Sequence, residues 1–172
     1  MVRLYLRSML KEVQKYVLLT GSDLGDRHAM LAKACELIEE RIGTVIRKSM
    51  VLESEPWGFE SQTVFLNQAL LIETKLEPEQ LLSAILAIET SLGRERTDEH
   101  WSSRIIDIDI LCGEFLIHHS DTLVIPHKFL ADRSFALNPL CQVAPDWIHP
   151  LLNRSYLSLA EKLSQKSLIS RC

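Results

Sequence analysis

The chain lacks the short glycine motifs by which many proteins hold phosphate groups. Neither GxxxxGK followed by Ser or Thr, nor GxGxxG, occurs in its 172 residues. A P-loop and a dinucleotide-binding turn are therefore excluded, because both need glycines where the backbone approaches the phosphates. If the chain binds ATP, it does so with a different arrangement of side chains.

Paired cysteines are also missing. The four cysteines are far apart in the sequence and form no CxxC pair: Cys35, Cys112, Cys141 and Cys172. Zinc sites and disulfide frameworks show characteristic cysteine spacings, so neither is expected here. Reduced thiols predict a cytoplasmic protein.

Long apolar runs and an excess of positive charge are absent as well. No apolar run approaches the roughly 20 residues that span a membrane, and the net charge is -4. A general nucleic-acid coat needs a basic face, which this charge balance opposes. Hydrophobic residues make up 47% and charged residues 24%, as in ordinary globular domains. We expect a monomer that binds small molecules and has neither a membrane nor a nucleic-acid partner.

The first 14 residues are predicted to be an extension outside the core, with residues 15–172 forming one domain. Arg3, Arg7 and Lys11 recur every four residues, which on a helix gives a basic stripe beside apolar positions. An organelle transit peptide shows a similar pattern, so that alternative stays open. The segment lacks the apolar centre of a secretory signal.

Hydrophobic periodicity predicts a β-α-β-β-α-β order of elements. Strands are predicted at 16–20, 44–52, 64–74 and 104–111, with helices over 27–42 and 77–92. A short strand over 114–118, a turn-rich stretch and a last helix over 151–166 follow. This order is that of the ferredoxin-like fold. We therefore predict an α+β sandwich, with helices packed on an antiparallel sheet and a C-terminal extension.

Two aspartates stand one residue apart in the strand-like segment SRIIDIDIL, residues 103–111. Residues i and i+2 of a strand share a face and lie about 6–7 Å apart. Asp107 and Asp109 should therefore project together, while the isoleucines point into the core. An edge strand with a solvated acidic face would show the same spacing, because DxD alone is a weak motif.

Arginines cluster immediately before this acid pair. Arg94, Arg96 and Arg104 lie in the preceding loop or at the start of the strand. Carboxylates bind Mg²⁺ through oxygen, and guanidinium groups hold phosphate oxygens with forked donors. The combination suits a metal-bound polyphosphate. Salt bridges to acids of the same loop would explain some of the arginines, but not their position just before the acid pair.

With these residues in view, the sequence resembles the 6-hydroxymethyl-7,8-dihydropterin pyrophosphokinase family of folate biosynthesis. The stretch from Trp101 to Leu111 resembles the family signature around its paired aspartates. Other segments resemble family motifs in the same order: GSDLGD, FLNQAL from Phe65, E-x3-GR-x-R from Glu89, I-P-H with R-x-F from Ile125, and P-L with V-A-P from Pro139. Each motif alone is weak, but the ordered set covers roughly residues 16–163 and is specific.

The resemblance implies a ferredoxin-like fold and a specific reaction. The pyrophosphoryl group of ATP, the co-substrate, would pass to the hydroxymethyl group of the pterin, giving AMP and the pterin diphosphate. Asp107 and Asp109 would bind two Mg²⁺ ions that bridge the triphosphate. The catalytic positions implied are these two aspartates together with Arg94, Arg104 and Trp101.

The resemblance also implies an ATP side and a pterin side of the site. The ATP side comprises Glu89, Arg94, Arg96, Arg104, His127 and Arg133. The pterin side comprises Ser54, Trp57, Phe65, Asn67 and Phe135. Phe65 and Phe135 would sandwich the pterin ring. Asn67 shares a strand face with Phe65, and its amide would pair with the polar edge of the pterin.

Some positions depart from the family pattern. Asp23 stands where asparagine is usual, and Ser102-Ser103 replaces a usual Gly-Pro pair. A proline there would stiffen the loop, so its absence predicts a looser loop rather than a different reaction. The acid pair and the main arginines are unchanged.

Two other functions share parts of this pattern. A non-catalytic ferredoxin-like module could bind a nucleotide or nucleic acid, because such sheets can present aromatic residues for base stacking. The acidic charge balance weighs against nucleic acid. A two-carboxylate hydrolase needs acids on both sides of a sugar, whereas neighbouring acids on one strand face bind a metal more readily.

Overall fold

The main sheet is built from five strands that run antiparallel to their neighbours. The structure is a computed structural model that describes residues 12–55, 64–94 and 104–169. The strands are β1 (Gln14–Ser22), β2 (Thr44–Lys48), β3 (Leu52–Ser54), β4 (Phe65–Thr74) and β5 (Asp107–Gly113). Their order across the sheet is β2-β4-β1-β5, and β3 pairs with the beginning of β4 on the edge that β2 also uses. This is the predicted ferredoxin-like arrangement.

Four α-helices and several short elements complete the described part of the chain. The helices are α1 (Arg27–Arg41), α2 (Pro78–Ser91), α3 (Ser134–Val143) and α4 (Tyr156–Ile169). The short strands β6 (His118–His119) and β7 (Val124–Ile125) pair with each other, as do β8 (Ile148–His149) and β9 (Arg154–Ser155). A turn of 3₁₀ helix spans Leu130–Asp132. No helix within the described ranges is long and apolar enough to cross a membrane.

The sheet is covered on both faces, because its strands carry buried side chains on both. On one face, Leu18, Leu70 and Ile110 belong to a buried cluster shared with α1 and α2. On the other face, Leu19 and Leu71 belong to a second cluster shared with α3 and α4. Burial of apolar surface on both sides is the main stabilising contribution to such a three-layer fold.

The helices begin where the sequence places capping groups. Asp26 precedes α1, and its Oδ1 accepts a hydrogen bond from the Ala29 backbone N–H at 3.0 Å. At α2, the backbone N–H of Glu77 donates to Gln80 Oε1 at 3.2 Å, and Pro78 occupies the first turn. These local signals explain why both helix starts were predictable.

The predicted strand over 44–52 is confirmed only as far as Lys48, because the edge strand is broken into β2 and β3. Ser49 lies at the break, and its Oγ accepts from the Ala69 backbone N–H at 2.9 Å. The Ser49 backbone N–H donates to the Ala69 carbonyl, also at 2.9 Å. A serine side chain that takes a ladder position interrupts regular pairing.

The elements after Leu111 also differ from the prediction. The strand predicted over 114–118 is a turn, with Phe115 at a φ of 54°, and pairing begins only at His118. The strand predicted over 104–111 is displaced to Asp107–Gly113. The register with β1 shifts beside Leu111, which is the extra residue of a bulge.

Helix α3 was not predicted, because its segment contains proline and was taken as turn-rich. Pro139 lies inside α3, where its ring is tolerated at the cost of one backbone hydrogen bond. The last helix begins at Tyr156 rather than at residue 151, since the β8–β9 hairpin occupies the preceding residues. The extension predicted for residues 1–14 stays a prediction, since residues 1–11 lie outside the described ranges; β1 begins at Gln14.

Candidate active site

The candidate site lies at the end of the sheet where β1 ends and β4 and β5 begin. Gly21 of β1 pairs with Asn67 of β4 on one side and with Asp107 of β5 on the other. These three residues therefore form a row across the sheet. Two residues further along β5, Asp109 pairs with Leu19 of β1. The antiparallel register thus brings together residues that are distant in sequence.

Asp107 and Asp109 lie on the same face of β5. Ile106, Ile108 and Ile110 are all buried in the cluster that α1 and α2 cover, so alternation turns the two carboxylates toward the opposite face. Leu19, which pairs with Asp109, belongs to the cluster on that opposite face. The shared face predicted from the spacing is therefore confirmed.

Two arginines contact Asp107, one on each carboxylate oxygen. Arg94 Nη1 lies 2.6 Å from Oδ1, and Arg104 Nη1 lies 2.6 Å from Oδ2. Charge-assisted hydrogen bonds of this kind are among the stronger interactions in proteins. The sequence placed these arginines near the acid pair, and the structure brings both guanidinium groups into direct contact with one of the acids.

Glu89 connects α2 to the acid-bearing strand. Its Oε1 accepts a hydrogen bond from the Ile108 backbone N–H at 2.7 Å and also contacts Arg94 Nη1. Glu89 is only 2% exposed. Burial tends to lower the pKa of Arg94, but the charges of Asp107 and Glu89 outweigh it and raise that pKa. Glu89 therefore orients Arg94 and anchors the strand between the two aspartates.

The carboxyl group of Asp109 interacts with the positive charge of Arg133. Burial raises the pKa of the Asp109 carboxyl, the charge of Asp107 raises it further, and Arg133 opposes both effects. Arg133 immediately precedes α3. Its Cζ lies 5.2 Å from the ring centroid of Phe129 and 5.7 Å from that of Phe135, within cation–π range. Phe129 was missed by the sequence reasoning; its only signal was an aromatic residue two positions after His127.

His127 is held in a defined orientation beside β5. Its backbone N–H donates to the Leu111 carbonyl at 2.8 Å. Its ring Nδ1 lies 3.3 Å from the Phe129 backbone N–H, which donates to it. Burial lowers the pKa of His127 to about 4, and the charges of Arg133 and Lys128 add to the effect. The ring is thus neutral at pH 7, and the hydrogen bond to Nδ1 assigns its proton to Nε2.

The described residues that the resemblance assigns to a pterin side lie on the same face of the sheet as the acids. Asn67 is 4% exposed, and its Nδ2 donates to Ser54 Oγ at 2.8 Å. Ser54 pairs with Phe65 across β3 and β4. Phe135, at the start of α3, packs against the cluster of the same face. Of the predicted site residues, Trp57, Arg96 and Trp101 lie outside the described residues.

The contact of Asp23 with the candidate site was not predicted from the sequence. Asp23 is 2% exposed and bonded to the backbone of Arg104. The sequence analysis noted only that Asp23 stands where asparagine is usual in the family. The sequence signal for this contact is the position of Asp23 directly after Gly21 and Ser22 at the end of β1.

The donor set fits a cation shared with a polyphosphate. In the part of the chain that the structure describes, no three His, Cys, Asp or Glu residues form a group that could hold a metal. Asp107 and Asp109 supply two hard carboxylates and no complete cage. Mg²⁺ commonly binds through one or two carboxylates, with water and substrate phosphates supplying the other ligands.

Fold and site together define a ferredoxin-like α+β protein whose strand carboxylates and arginines suit a metal-bound polyphosphate. Residues 17–145 match the family model described as 7,8-dihydro-6-hydroxymethylpterin-pyrophosphokinase (HPPK). The match covers most of the 172 residues. The chain belongs to this family.

Relatives with established names agree with this assignment. The 2-amino-4-hydroxy-6-hydroxymethyldihydropteridine pyrophosphokinase of Methylorubrum extorquens is 43% identical over 129 residues, covering 74% of this chain and 81% of that protein. The protein of the same name from Porphyromonas gingivalis is 41% identical over 133 residues, covering 76% and 90% respectively. The folic acid synthesis protein fol1 of Pneumocystis carinii is 37% identical over 143 residues, which are 83% of this chain but 19% of that protein.

Solved structures agree with the fold. A crystal structure of wild-type Plasmodium falciparum HPPK-DHPS superposes with a TM-score of 0.71 at 18% sequence identity. The match covers 88% of this chain but only 43% of the Plasmodium chain. The chain therefore spans less than half of that protein, and the likeness bears on the fold alone.

Proposed function

We propose that the protein transfers the pyrophosphoryl group of ATP to the hydroxymethyl group of 6-hydroxymethyl-7,8-dihydropterin. The products are AMP and the pterin diphosphate, in a step of tetrahydrofolate biosynthesis. The observation that carries the proposal is the family match over residues 17–145, joined to an acid pair whose Asp107 contacts Arg94 and Arg104. The family match makes a non-catalytic binding module the weaker explanation of the same fold.

Asp107 and Asp109 are the residues we propose to hold two Mg²⁺ ions. Their support is the shared strand face and the incomplete donor set described above. Bound Mg²⁺ would neutralise negative charge on the triphosphate and favour attack on phosphorus. The carboxylates project from a strand whose isoleucines are buried, so the core restricts their positions.

Arg94 and Arg104 are proposed to bind the triphosphate. Each donates to one oxygen of Asp107, and the planar fork of a guanidinium group matches the geometry of phosphate oxygens. Glu89 would act on the ATP side by orienting Arg94. Arg133 adds positive charge near Asp109, and neutral His127 offers an Nε2–H donor. Roles for Arg96 and Trp101 on this side remain proposals from the family resemblance.

The pterin is proposed to lie on the face that carries Asn67. Ser54 fixes the orientation of the Asn67 amide by accepting a hydrogen bond from its Nδ2. We propose that the side-chain carbonyl oxygen of Asn67 then accepts a hydrogen bond from the pterin edge. Phe65 and Phe135 supply aromatic surface from β4 and α3 on the same face. Trp57 remains a proposed pterin contact from the family resemblance.

In the proposed reaction, the pterin hydroxyl oxygen forms a bond to the β-phosphorus of ATP. The bond between that phosphorus and the oxygen bridging to the α-phosphate breaks, its electron pair stays on AMP, and the hydroxyl proton is released to solvent. Such transfers depend chiefly on positioning and charge stabilisation. This chain contributes two arginines held beside the acid pair, which places positive charge next to the proposed triphosphate site.

The experiment combines ATP, Mg²⁺ and the hydroxymethyl dihydropterin with the purified protein and follows the nucleotides by chromatography. We expect AMP and the pterin diphosphate in equal amounts, and no product when EDTA is present. Formation of ADP, or no turnover, would contradict the proposal. Asp109→Asn should reduce kcat by about 100-fold or more with an unchanged circular dichroism spectrum. Asp121→Asn, the same change at an exposed position, should leave kcat unaltered.

We also propose a cytoplasmic monomer with ATP and the pterin as its small-molecule partners. Both faces of the sheet are covered within one chain, which removes the main apolar surface that an obligate dimer would bury. Cys35, Cys112 and Cys141 are free thiols, as expected in a reducing compartment. Light scattering after gel filtration should give a mass near 19.7 kDa; twice that mass would contradict the monomer.

A further inference from the structure

Gly21 occupies the middle of the row that links the two proposed substrate sides. Its neighbours across the sheet are Asn67, on the proposed pterin side, and Asp107, on the proposed metal side. All three lie on the face that α3 partly covers, because Leu19 and Ala69, two positions away on β1 and β4, belong to that cluster. The row therefore has an amide at one end, a carboxylate at the other and no side chain between them.

The backbone does not require a glycine at this position. The glycines with positive φ within the described ranges are Gly25 and Gly93, and Gly21 is an ordinary strand residue of β1. A glycine inside a strand weakens it, since it packs no side chain and loses more conformational entropy on folding. The choice of glycine in the central strand therefore calls for another cause.

Packing against the rest of the described chain does not require it either. A Cβ built on Gly21 would lie 3.4 Å from Asn67 Oδ1 and 4.0 Å from the Leu66 carbonyl oxygen, which are ordinary contacts. By contrast, a Cβ on Gly113 would lie 2.9 Å from Leu116 Cβ. Gly113 is needed by the fold, whereas an added methyl at Gly21 can be accommodated by the described residues.

We propose that Gly21 is a specificity-determining residue, whose bare backbone forms the floor beneath the acceptor substrate. Strands lie about 4.8 Å apart, so the Cα atoms of Asn67 and Asp107 are separated by about 10 Å across Gly21. A flat bicyclic ring held at Asn67, with a one-carbon arm directed toward Asp107, must pass over this position. A methyl group here would lift the ring from the sheet and move its hydroxyl away from the acid pair.

The inference rests on the proposed function, but it assigns a role to a residue that makes no polar side-chain contact. It predicts that Gly21→Ala acts on the pterin and spares ATP. In a close-fitting pocket one extra methyl group changes affinity by about tenfold or more. A residue with a purely structural role would instead lower stability and affect both substrates alike.

The test compares wild type, Gly21→Ala and Gly113→Ala by thermal unfolding, by fluorescence titration with the hydroxymethyl pterin, and by steady-state kinetics. We expect Gly21→Ala to have the melting temperature of wild type and to bind the pterin about tenfold more weakly. Its KM for ATP should stay within about twofold of the wild-type value. Gly113→Ala should melt at a lower temperature because its Cβ meets Leu116, with unchanged KM values for both substrates.

Three outcomes would overturn the inference: unchanged pterin affinity in Gly21→Ala, an equal loss for ATP, or a fall in melting temperature like that of Gly113→Ala. Titration separates this inference from the proposed function, because it needs no turnover. If wild type binds the pterin but releases no AMP, the proposed reaction is wrong. A selective loss of pterin affinity in Gly21→Ala would still support the proposed position of Gly21 beneath the pterin. If wild type does not bind the pterin, both are wrong.

Discussion

The backbone N–H of Arg104 donates a hydrogen bond to Asp23 Oδ1 at 2.6 Å. In return, the Asp23 backbone N–H donates to the Arg104 carbonyl at 3.2 Å. The adjacent Ser22 is also buried, and its Oγ donates to the Ile105 carbonyl at 2.7 Å. The end of β1 thus fixes the chain immediately before β5, and with it the starting point of the Arg104 side chain that reaches Asp107.

Asp23→Ala should therefore disturb Arg104 without touching any proposed substrate contact. Removing the acceptor costs the partly buried Arg104 N–H its hydrogen bond to Asp23, which lowers the free energy of unfolding by about 1 kcal/mol. We expect kcat/KM for ATP to fall by about tenfold or more, since a displaced guanidinium loses its alignment. Asp23→Asn retains an oxygen acceptor and should keep most of the activity.

Asp26→Ala is the matched control for this change. Asp26 Oδ1 accepts from the Ala29 backbone N–H at the start of α1, so its loss costs about 1 kcal/mol of stability but touches no site residue. Urea unfolding and steady-state kinetics on the three variants give both quantities. Equal activity in Asp23→Ala and Asp26→Ala would remove the positioning role of Asp23.

Arg94→Lys should impair catalysis although the charge is kept. The Arg94 guanidinium contacts both Glu89 and Asp107, and a lysine ammonium is a point charge that lacks the planar fork needed to bridge them. We expect kcat/KM to fall by about 10–100-fold, while the melting temperature stays close to that of wild type. Arg41→Lys, an exposed position on α1, should match wild type; a wild-type kcat/KM in Arg94→Lys would contradict the bridging role.

His127 should make the protein less stable as the pH falls. Its folded pKa of about 4 lies below the ordinary 6.5, so the unfolded chain binds more protons between these values. The stabilisation is therefore present above pH 6.5 and is lost as the pH falls toward 4. His127→Asn keeps an acceptor for the Phe129 N–H, and it should flatten this part of the stability curve, measured by urea unfolding from pH 4 to 7.

His28→Asn serves as the comparison for His127. His28 is exposed on α1, so replacing it should leave the pH dependence of unfolding as in wild type. If His127→Asn and wild type show the same slope between pH 4 and 6.5, the ring is not held neutral in the folded protein.

Ser54→Ala should weaken pterin binding through Asn67. The Ser54 Oγ accepts from Asn67 Nδ2 at 2.8 Å, and a lost hydrogen bond of this kind is worth about 1 kcal/mol, or roughly a fivefold change in affinity. We expect a higher dissociation constant for the pterin and an unchanged KM for ATP, both measured by titration and kinetics. Ser83→Ala, on the exposed side of α2, is the control; a pterin affinity equal to wild type in Ser54→Ala would show that Asn67 needs no support.

Several features could be predicted because they depend on neighbours in the sequence. The alternation of aspartate and isoleucine in β5 is a property of consecutive residues, so the shared face of Asp107 and Asp109 followed directly. The capped starts of α1 and α2 were predictable for the same reason, since Asp26 accepts from an N–H one turn away and Gln80, one turn into α2, accepts from the N–H of Glu77. The ordered motifs then indicated the family.

Other features depended on partners far away in the chain and were missed. The break at Ser49 arises because its hydroxyl takes a ladder position opposite Ala69, which no local pattern reveals. Helix α3 forms despite Pro139 because its apolar residues are buried against the sheet, and that burial outweighs weak local propensity.

By itself the sequence determined the β-α-β-β-α-β order of the core elements, the face on which the acid pair lies and the family to which the chain belongs. Only the tertiary structure decided that Gly21 lies between Asn67 and Asp107, and that Asp23 holds the backbone of Arg104. The physical reason is the register of β1 with β4 and β5: backbone pairing between distant segments, together with the burial of both sheet faces, determines which residues meet at the end of the sheet.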